Sequence, residues 1–176
     1  MERLKKIALL INLVKQLKDK GSWTGETHIQ KATYLLQEIT NIFLGFQFIL
    51  YKHGPFSFDL RDELTALRAD GLVGLQHNYP YGPSFFITNG GKELMKKMPN
   101  TVGKYSKKIS RIAEECGSNG VAELERLATA MYVRVEVDNP GERANRLHKL
   151  KPHIDIQSAQ KAINKIDACC KEFSIS

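Results

Sequence analysis

The chain is 176 residues long, 42% hydrophobic and 26% charged, which is typical of a soluble globular protein and excludes a low-complexity chain. Its net charge of +7 favours an acidic partner such as nucleic acid, although net charge governs solubility and encounter rate rather than fold. The three cysteines, Cys116, Cys169 and Cys170, are odd in number and lack zinc-finger spacing, so we expect reduced thiols in a cytoplasmic protein.

Two amphipathic helices are predicted at the start of the chain. Apolar residues recur at helical spacing across Glu2–Lys20, and Gly21 suits the position that follows a helix end. The apolar run Ile7–Val14 within this helix is too short to span a bilayer, so we expect no membrane partner. The second helix should be capped by Thr24 or by Thr27.

An extended segment and a turn are predicted next. Phe46–Tyr51 is rich in aromatic and β-favouring residues. His53-Gly54-Pro55 must turn, because glycine permits unusual φ angles and proline restricts the residue before it. The turn should deliver Phe56 to the core and Ser57 to the N-cap of a helix.

The helix Ser57–Asp70 and the hairpin after it predict a winged helix. Leucines at i, i+4 and i+7 form the buried stripe of this helix: Leu60, Leu64 and Leu67. Two β-like segments, Leu72–His77 and Ser84–Thr88, flank a turn that begins at Asn78. The order helix, strand, turn, strand is that of a winged helix, a module that usually contacts DNA or another protein.

The rest of the chain is predicted to be helical. Thr88 should cap a helix over Asn89–Met98, and Gly117–Gly120 is a clear break between two longer helices. The most apolar stripe of this half runs from Val121 to Val135. The inner face of the last helix is expected to comprise Ile156, Ala159, Ile163, Ile166, Cys170 and Phe173. We therefore predict a mainly α fold with a small β-hairpin, in which a winged-helix-like domain (residues 1–98) packs on a helical region (residues 101–176).

Lys52 and His53 are the first candidate binding residues. They precede the predicted helix N-terminus, where free backbone amides favour an anion such as a phosphate or a carboxylate. The alternative is that the turn is purely architectural.

Arg61 and Arg68 are the candidates on the helix that occupies the recognition position. The segment Ser57–Asp70 carries these two basic residues and four acidic ones. That balance is a poor match for the field of phosphates around a DNA groove. It favours a helix that serves packing or protein contact.

Two basic clusters lie in the second half. Lys104, Lys107, Lys108 and Arg111 fall at i, i+3, i+4 and i+7 on one helical face. The second cluster comprises Arg143, Arg146, Lys149 and Lys151, with His148 and His153 beside it. Each cluster is either a solvated face or a contact for nucleic acid or an acidic protein.

Motifs for catalysis are missing from the sequence. Gly91-Lys92 lacks the upstream glycine and the following Ser or Thr of a phosphate-binding loop. There is no Gly-x-Ser-x-Gly, His-Glu-x-x-His or Cys-x-x-Cys pattern. We expect no catalytic residue, no metal site and no cofactor, and hence no enzyme.

Three segments in order carry a family resemblance: Lys31–Leu36, Tyr51–Ser57 and Leu60–Val73. Over about residues 28–73 they resemble the helix, the Gly-Pro turn and the Leu-rich helix of the YwgA-like proteins and, more distantly, of the Panacea (SocA-type) antitoxin domain. Leu124–Ala130 and Leu150–His153 resemble the helical tail of the YwgA-like group. The resemblance brings no catalytic residues, and its more distant arm implies a protein that binds and neutralises a toxin or guides it to a protease.

The expected function is therefore that of a non-enzymatic, cytoplasmic binding module. Its partner would be another protein, with a toxin as one candidate, and its role that of a protein-interaction or antitoxin-like factor. The alternative is a winged-helix DNA-binding transcriptional regulator. The sequence predicts no oligomeric state.

Overall fold

The computed structural model describes residues 1–77 and 79–174 and confirms a mainly helical chain with small antiparallel strands. The helices are α1 (Arg3–Asp19), α2 (Glu26–Thr40), α3 (Phe58–Ala69), α4 (Asn89–Lys97), α5 (Pro99–Gly117), α6 (Val121–Glu136), α7 (Arg143–Leu150) and α8 (Ile156–Ser174). A short 3-10 helix, Pro140–Glu142, precedes α7. Asn78, the first residue of the predicted turn, and residues 175–176 of the predicted helical region lie outside the described residues.

The strands form two separate antiparallel hairpins. In the first, β1 (Ile49–Tyr51) pairs with β2 (Gly54–Phe56), with Tyr51 opposite Gly54. In the second, β3 (Val73–Gln76) pairs with β4 (Ser84–Ile87). The second hairpin follows α3 and occupies the place of the wing, as predicted.

The central helix is α1. Every residue from Ile7 to Val14 is buried, so this stretch has no solvent-facing side. It packs against α5, α4, α2 and β4. An apolar run that continues around the whole helix is what such a surrounded position requires.

The two predicted halves share one hydrophobic core. From the first half, α2 contacts α5, α6 and α8 of the second half. One cluster of buried side chains extends from α1 to α8. Only Met98 separates α4 from α5.

Capping bonds confirm the predicted starts of two helices. The Ser57 hydroxyl accepts a hydrogen bond from the Leu60 amide at 3.2 Å at the start of α3. The Thr88 hydroxyl accepts from the Gly91 amide at 3.1 Å at the start of α4. A hydroxyl that accepts from these otherwise unpaired amides typically stabilises a helix by about 1 kcal/mol.

The predicted cap of the second helix was wrong. Gly25 precedes α2 and offers no side-chain cap. Thr24 instead has a φ of +53° and is fully buried, with its hydroxyl donating to the Phe85 carbonyl at 2.8 Å. The Phe85 amide donates back to the Thr24 carbonyl at 2.9 Å. Thr24 is therefore tied to the wing rather than to the helix.

The first hairpin also differs from the prediction. Only Ile49–Tyr51 of the predicted extended run is a strand, and its partner strand includes Gly54 and Pro55, which were predicted as a turn. Phe46 has its backbone bonded to the side chain of Gln37 rather than to another strand. Phe56 is half-buried and packs in a surface aromatic cluster instead of entering the core.

Three apolar residues assigned to inner faces are exposed. Ile156 lies at the start of α8, and Val121 and Val135 lie near the two ends of α6. Helical periodicity places a residue on a face of its helix, but it does not predict whether a neighbouring element covers that face near the helix ends.

Candidate binding surface

The hairpin of β1 and β2 is fixed from behind by two consecutive side chains of α2. The Gln30 side-chain amide donates to the Ser57 carbonyl and accepts from the Ser57 amide, both at 2.9 Å. The Lys31 ammonium donates to the Pro55 carbonyl at 2.8 Å. Gln30 and Lys31 are both buried, so these bonds form away from water. A two-stranded hairpin is only marginally stable alone, and these bonds supply its support.

A second buried ammonium holds the other strand. Lys151 follows α7, and its Nζ donates to the Tyr51 carbonyl at 2.9 Å and also to the Lys52 carbonyl. The Glu125 carboxylate of α6 lies 3.3 Å from the same Nζ, and both side chains are 8% exposed. The backbone carbonyls of the hairpin therefore replace the water that the ammonium groups lose on burial.

The pKa of Lys31 reflects the charges that surround it behind the hairpin. Burial lowers that pKa from 10.5 to about 8, the nearby Glu125 carboxylate opposes the shift, and Lys151 adds to it. Two cations and one carboxylate thus lie behind the hairpin. Removing one partner from such a network leaves a buried charge without compensation, so the network fixes the position of the hairpin.

An exposed aromatic cluster is formed by the outer side of the hairpin and the start of α3. The rings of Tyr51, Phe56 and Phe58 contact one another with centroid separations of 5.1 to 6.0 Å. Tyr51 is 55% exposed and Phe58 is 43% exposed, and the neighbouring Ile49 is also exposed. The Arg61 guanidinium lies 5.1 Å from the centroid of the Phe58 ring. We call these five residues the aromatic face.

The structure places Lys52 and His53 in the two-residue loop beside the aromatic face. Both are exposed, and the His53 ring lies 4.0 Å from the Glu125 carboxylate. His153 approaches the same carboxylate at 3.5 Å. The Leu60 amide at the start of α3 is already bonded to the Ser57 hydroxyl, which leaves one amide fewer for an external anion.

The exposed charges of α3 are mixed. Arg61 is paired with Asp62 at 3.1 Å, whereas Arg68 forms no ion pair within the described residues. Asp59, Asp62 and Asp70 are exposed on or at the end of the same helix. The exposed charged residues on or at the end of α3 therefore comprise three acidic and two basic side chains.

The predicted basic stripe on α5 divides into two parts. Lys104 and Lys107 are exposed. Lys108 donates to the Thr40 carbonyl at the end of α2, at 3.1 Å. Arg111 is bonded through two nitrogens to Glu172 and also pairs with Glu115. Two of the four cations thus hold elements of the fold together.

The cluster on α7 is divided in the same way. Arg143 is buried, donates to the Val137 and Asp138 carbonyls and pairs with Asp167. Arg146 pairs with Glu136. Lys149 alone of the predicted residues here is exposed and without an ion pair in the described part of the chain.

Sequence patterns alone indicate no supporting role for the four residues that hold the hairpin: Gln30, Lys31, Glu125 and Lys151. Each is polar and buried. Lys31 and Lys151 were named in the family resemblance and the second basic cluster, but neither was assigned a structural role. A signal was present for Glu125, because it lies beside Leu124 in the most apolar stripe of the second half.

Comparison with protein-family models gives no match, and none of the curated proteins matches this chain. Across residues 1–77 and 79–174, no group of three or more His, Cys, Asp or Glu side chains is arranged to hold a metal ion. Nor is any helix in this described part long and apolar enough to cross a membrane.

Proposed function

We propose that the chain is a non-enzymatic, cytoplasmic binding module that contacts another protein through the aromatic face. The family resemblance suggests an antitoxin-like role, in which the partner is a toxin that this chain neutralises. The proposal is carried by one observation: three aromatic rings that contact one another stay partly exposed, two of them on a hairpin that buried side chains hold in place and the third at the start of α3.

The composition of the face supports a protein partner. Tyrosine, phenylalanine and arginine are enriched in protein interfaces, and a few such residues carry most of the binding energy. A contiguous exposed apolar patch is also costly in water unless a partner covers it. The support behind the hairpin fixes the rings before binding, which lowers the entropy cost of association.

The second candidate is a winged-helix DNA-binding regulator. The order of α1, α2, α3 and the wing favours it, because this is the arrangement that places α3 in a groove. The exposed acidic residues of α3 oppose it, because they would face phosphates.

A capture experiment with three proteins tests the first candidate. The wild type, a Tyr51→Ala/Phe58→Ala double variant and a Phe43→Ala control are immobilised, and captured proteins are quantified. Phe43 is 73% exposed but lies outside the aromatic face, so it controls for the loss of an exposed ring. We expect a protein that the wild type and the control capture equally and that the double variant captures at least tenfold less.

Equal capture by all three proteins would rule out the aromatic face. A selection with random duplex DNA tests the alternative. Enrichment of one DNA sequence by the wild type, lost in Arg61→Ala/Arg68→Ala, would favour the regulator instead.

A further inference from the structure

Three helix ends meet at a groove of about 640 Å³, formed by the start of α1, the end of α4 and the start of α5. Lys5, Lys97 and Lys104 line it, one from each helix. Met98 and Tyr105 are also in the lining. None of the described residues that line the groove is acidic. We call this the basic groove.

Two of the three lysines that line the basic groove are unpaired in the described part of the chain. Lys97 and Lys104 form no ion pair in the described part of the protein, and Lys5 pairs only with the exposed Glu2, at 3.3 Å. Lys107, one turn further along α5, is exposed and extends the basic surface. Other surface cations of this protein, such as Arg146, are bonded to carboxylates. The basic groove therefore offers unpaired positive charge on the surface of a chain with a net charge of +7.

Aromatic and basic groups adjoin in this groove. The Lys104 ammonium lies 5.2 Å from the centroid of the Tyr105 ring, and Tyr105 is half-buried. A cation beside an aromatic ring allows one ligand to place a phosphate on the first and a planar base on the second. Proteins that bind single-stranded nucleic acid without sequence preference use this combination of a basic groove and an aromatic side chain.

We propose that the basic groove binds single-stranded nucleic acid, with phosphates on Lys5, Lys97 and Lys104 and a base against Tyr105. A duplex fits less well, because duplex readers insert a convex element into the major groove, whereas this surface is concave. An acidic peptide would satisfy the lysines but brings no planar base for the aromatic ring. This site shares no residue with the aromatic face and does not depend on the proposed protein partner.

The test is fluorescence anisotropy of the full chain with labelled ten-nucleotide oligo(dT) and oligo(U) at 50 and 200 mM salt. Each phosphate contact on a single strand contributes about 0.7 to the salt dependence, so three contacts predict a loss of affinity of roughly 20-fold between the two salt concentrations. Lys97→Glu/Lys104→Glu should abolish binding. The control variant Lys161→Glu/Lys171→Glu makes the same change in net charge at two exposed positions on α8, and it should still bind the oligonucleotides.

The tyrosine supplies an independent readout. Tyr105→Leu should weaken binding at least about fivefold without changing the salt dependence, and Tyr105→Phe should retain the affinity because it keeps the ring. Equal losses in the two double variants would overturn the site. So would duplex or poly-glutamate binding as tight as that of oligo(dT), or no binding of either oligonucleotide at 50 mM salt.

Discussion

Truncating Gln30 to alanine tests whether the hairpin depends on its buried support. The substitution removes the partner of the buried Ser57 amide and one of the two bonds that the Ser57 carbonyl accepts, both 2.9 Å long, while the Arg61 amide still donates to that carbonyl at 3.2 Å. A buried backbone group that loses its partner costs about 1–3 kcal/mol and one lost hydrogen bond about 0.5–1.5 kcal/mol, so the two together predict a loss of about 1.5–4.5 kcal/mol in the free energy of unfolding. For a chain of this size that corresponds to a fall in Tm of roughly 3–18 °C.

The same helix offers a matched control. Gln37 lies two turns further along α2 and makes the same pair of bonds with the backbone of Phe46, at 3.0 and 3.1 Å. It is only half-buried, so water can replace the lost side chain and Gln37→Ala should cost about 1–3 kcal/mol. Urea unfolding with linear extrapolation measures both losses. A Gln30→Ala loss below about 1 kcal/mol, or one no larger than that of Gln37→Ala, would refute the reasoning.

Three further predictions concern stability. Gly54→Ala should lower the free energy of unfolding more than Gly21→Ala does. Both glycines have a φ above +80°, but only at Gly54 would a Cβ meet a hydroxyl of α6, at 3.1 Å. Equal melting temperatures of the two variants would contradict this. Leu64→Ala should cost about 2–5 kcal/mol and the exposed Thr65→Ala under about 1 kcal/mol, and an unchanged Leu64→Ala melt would show that α3 is not packed as described. Burial lowers the pKa of Lys31 from 10.5 to about 8, so the unfolded chain binds this proton more tightly than the folded chain does. The free energy of unfolding of the wild type should therefore rise, relative to that of Lys31→Met, as the pH increases from 8 to 10.5. Urea unfolding measures both proteins, and parallel pH profiles would exclude this effect.

The parts of the fold that sequence reasoning predicted are those that depend on local chemistry. The buried leucine stripe of α3 follows from a spacing of i, i+4 and i+7, and its N-cap follows from a serine before acidic residues. The wing was predicted from two β-like runs around a turn. The mainly helical class followed from the same periodicity in the second half.

The candidate site was predicted only in part, because its support depends on contacts between residues that are distant in sequence. Lys151 lies about one hundred positions from the Tyr51 and Lys52 carbonyls that it binds. Hydrophobic patterning assigns polar residues to the surface, so it gives no reason to bury Gln30 or Lys31. The contact of Lys108 on α5 is of the same kind, since helical periodicity gives no sign that its ammonium donates to the Thr40 carbonyl at the end of α2.

The burial of two lysines behind a three-residue strand pair needs a physical reason. Lys31 and Lys151 would each lose a large hydration energy in an apolar interior, and burying paired charges is rarely a net source of stability. Their ammonium groups instead donate to the backbone carbonyls of Tyr51, Lys52 and Pro55. The two ammonium groups therefore bond to backbone carbonyls instead of water, and these carbonyls bond to ammonium groups instead of water. The result is a hairpin whose position is specified by directional bonds, so that the Tyr51 ring on its outer side has a defined place relative to α3. That defined placement is what a recognition surface requires.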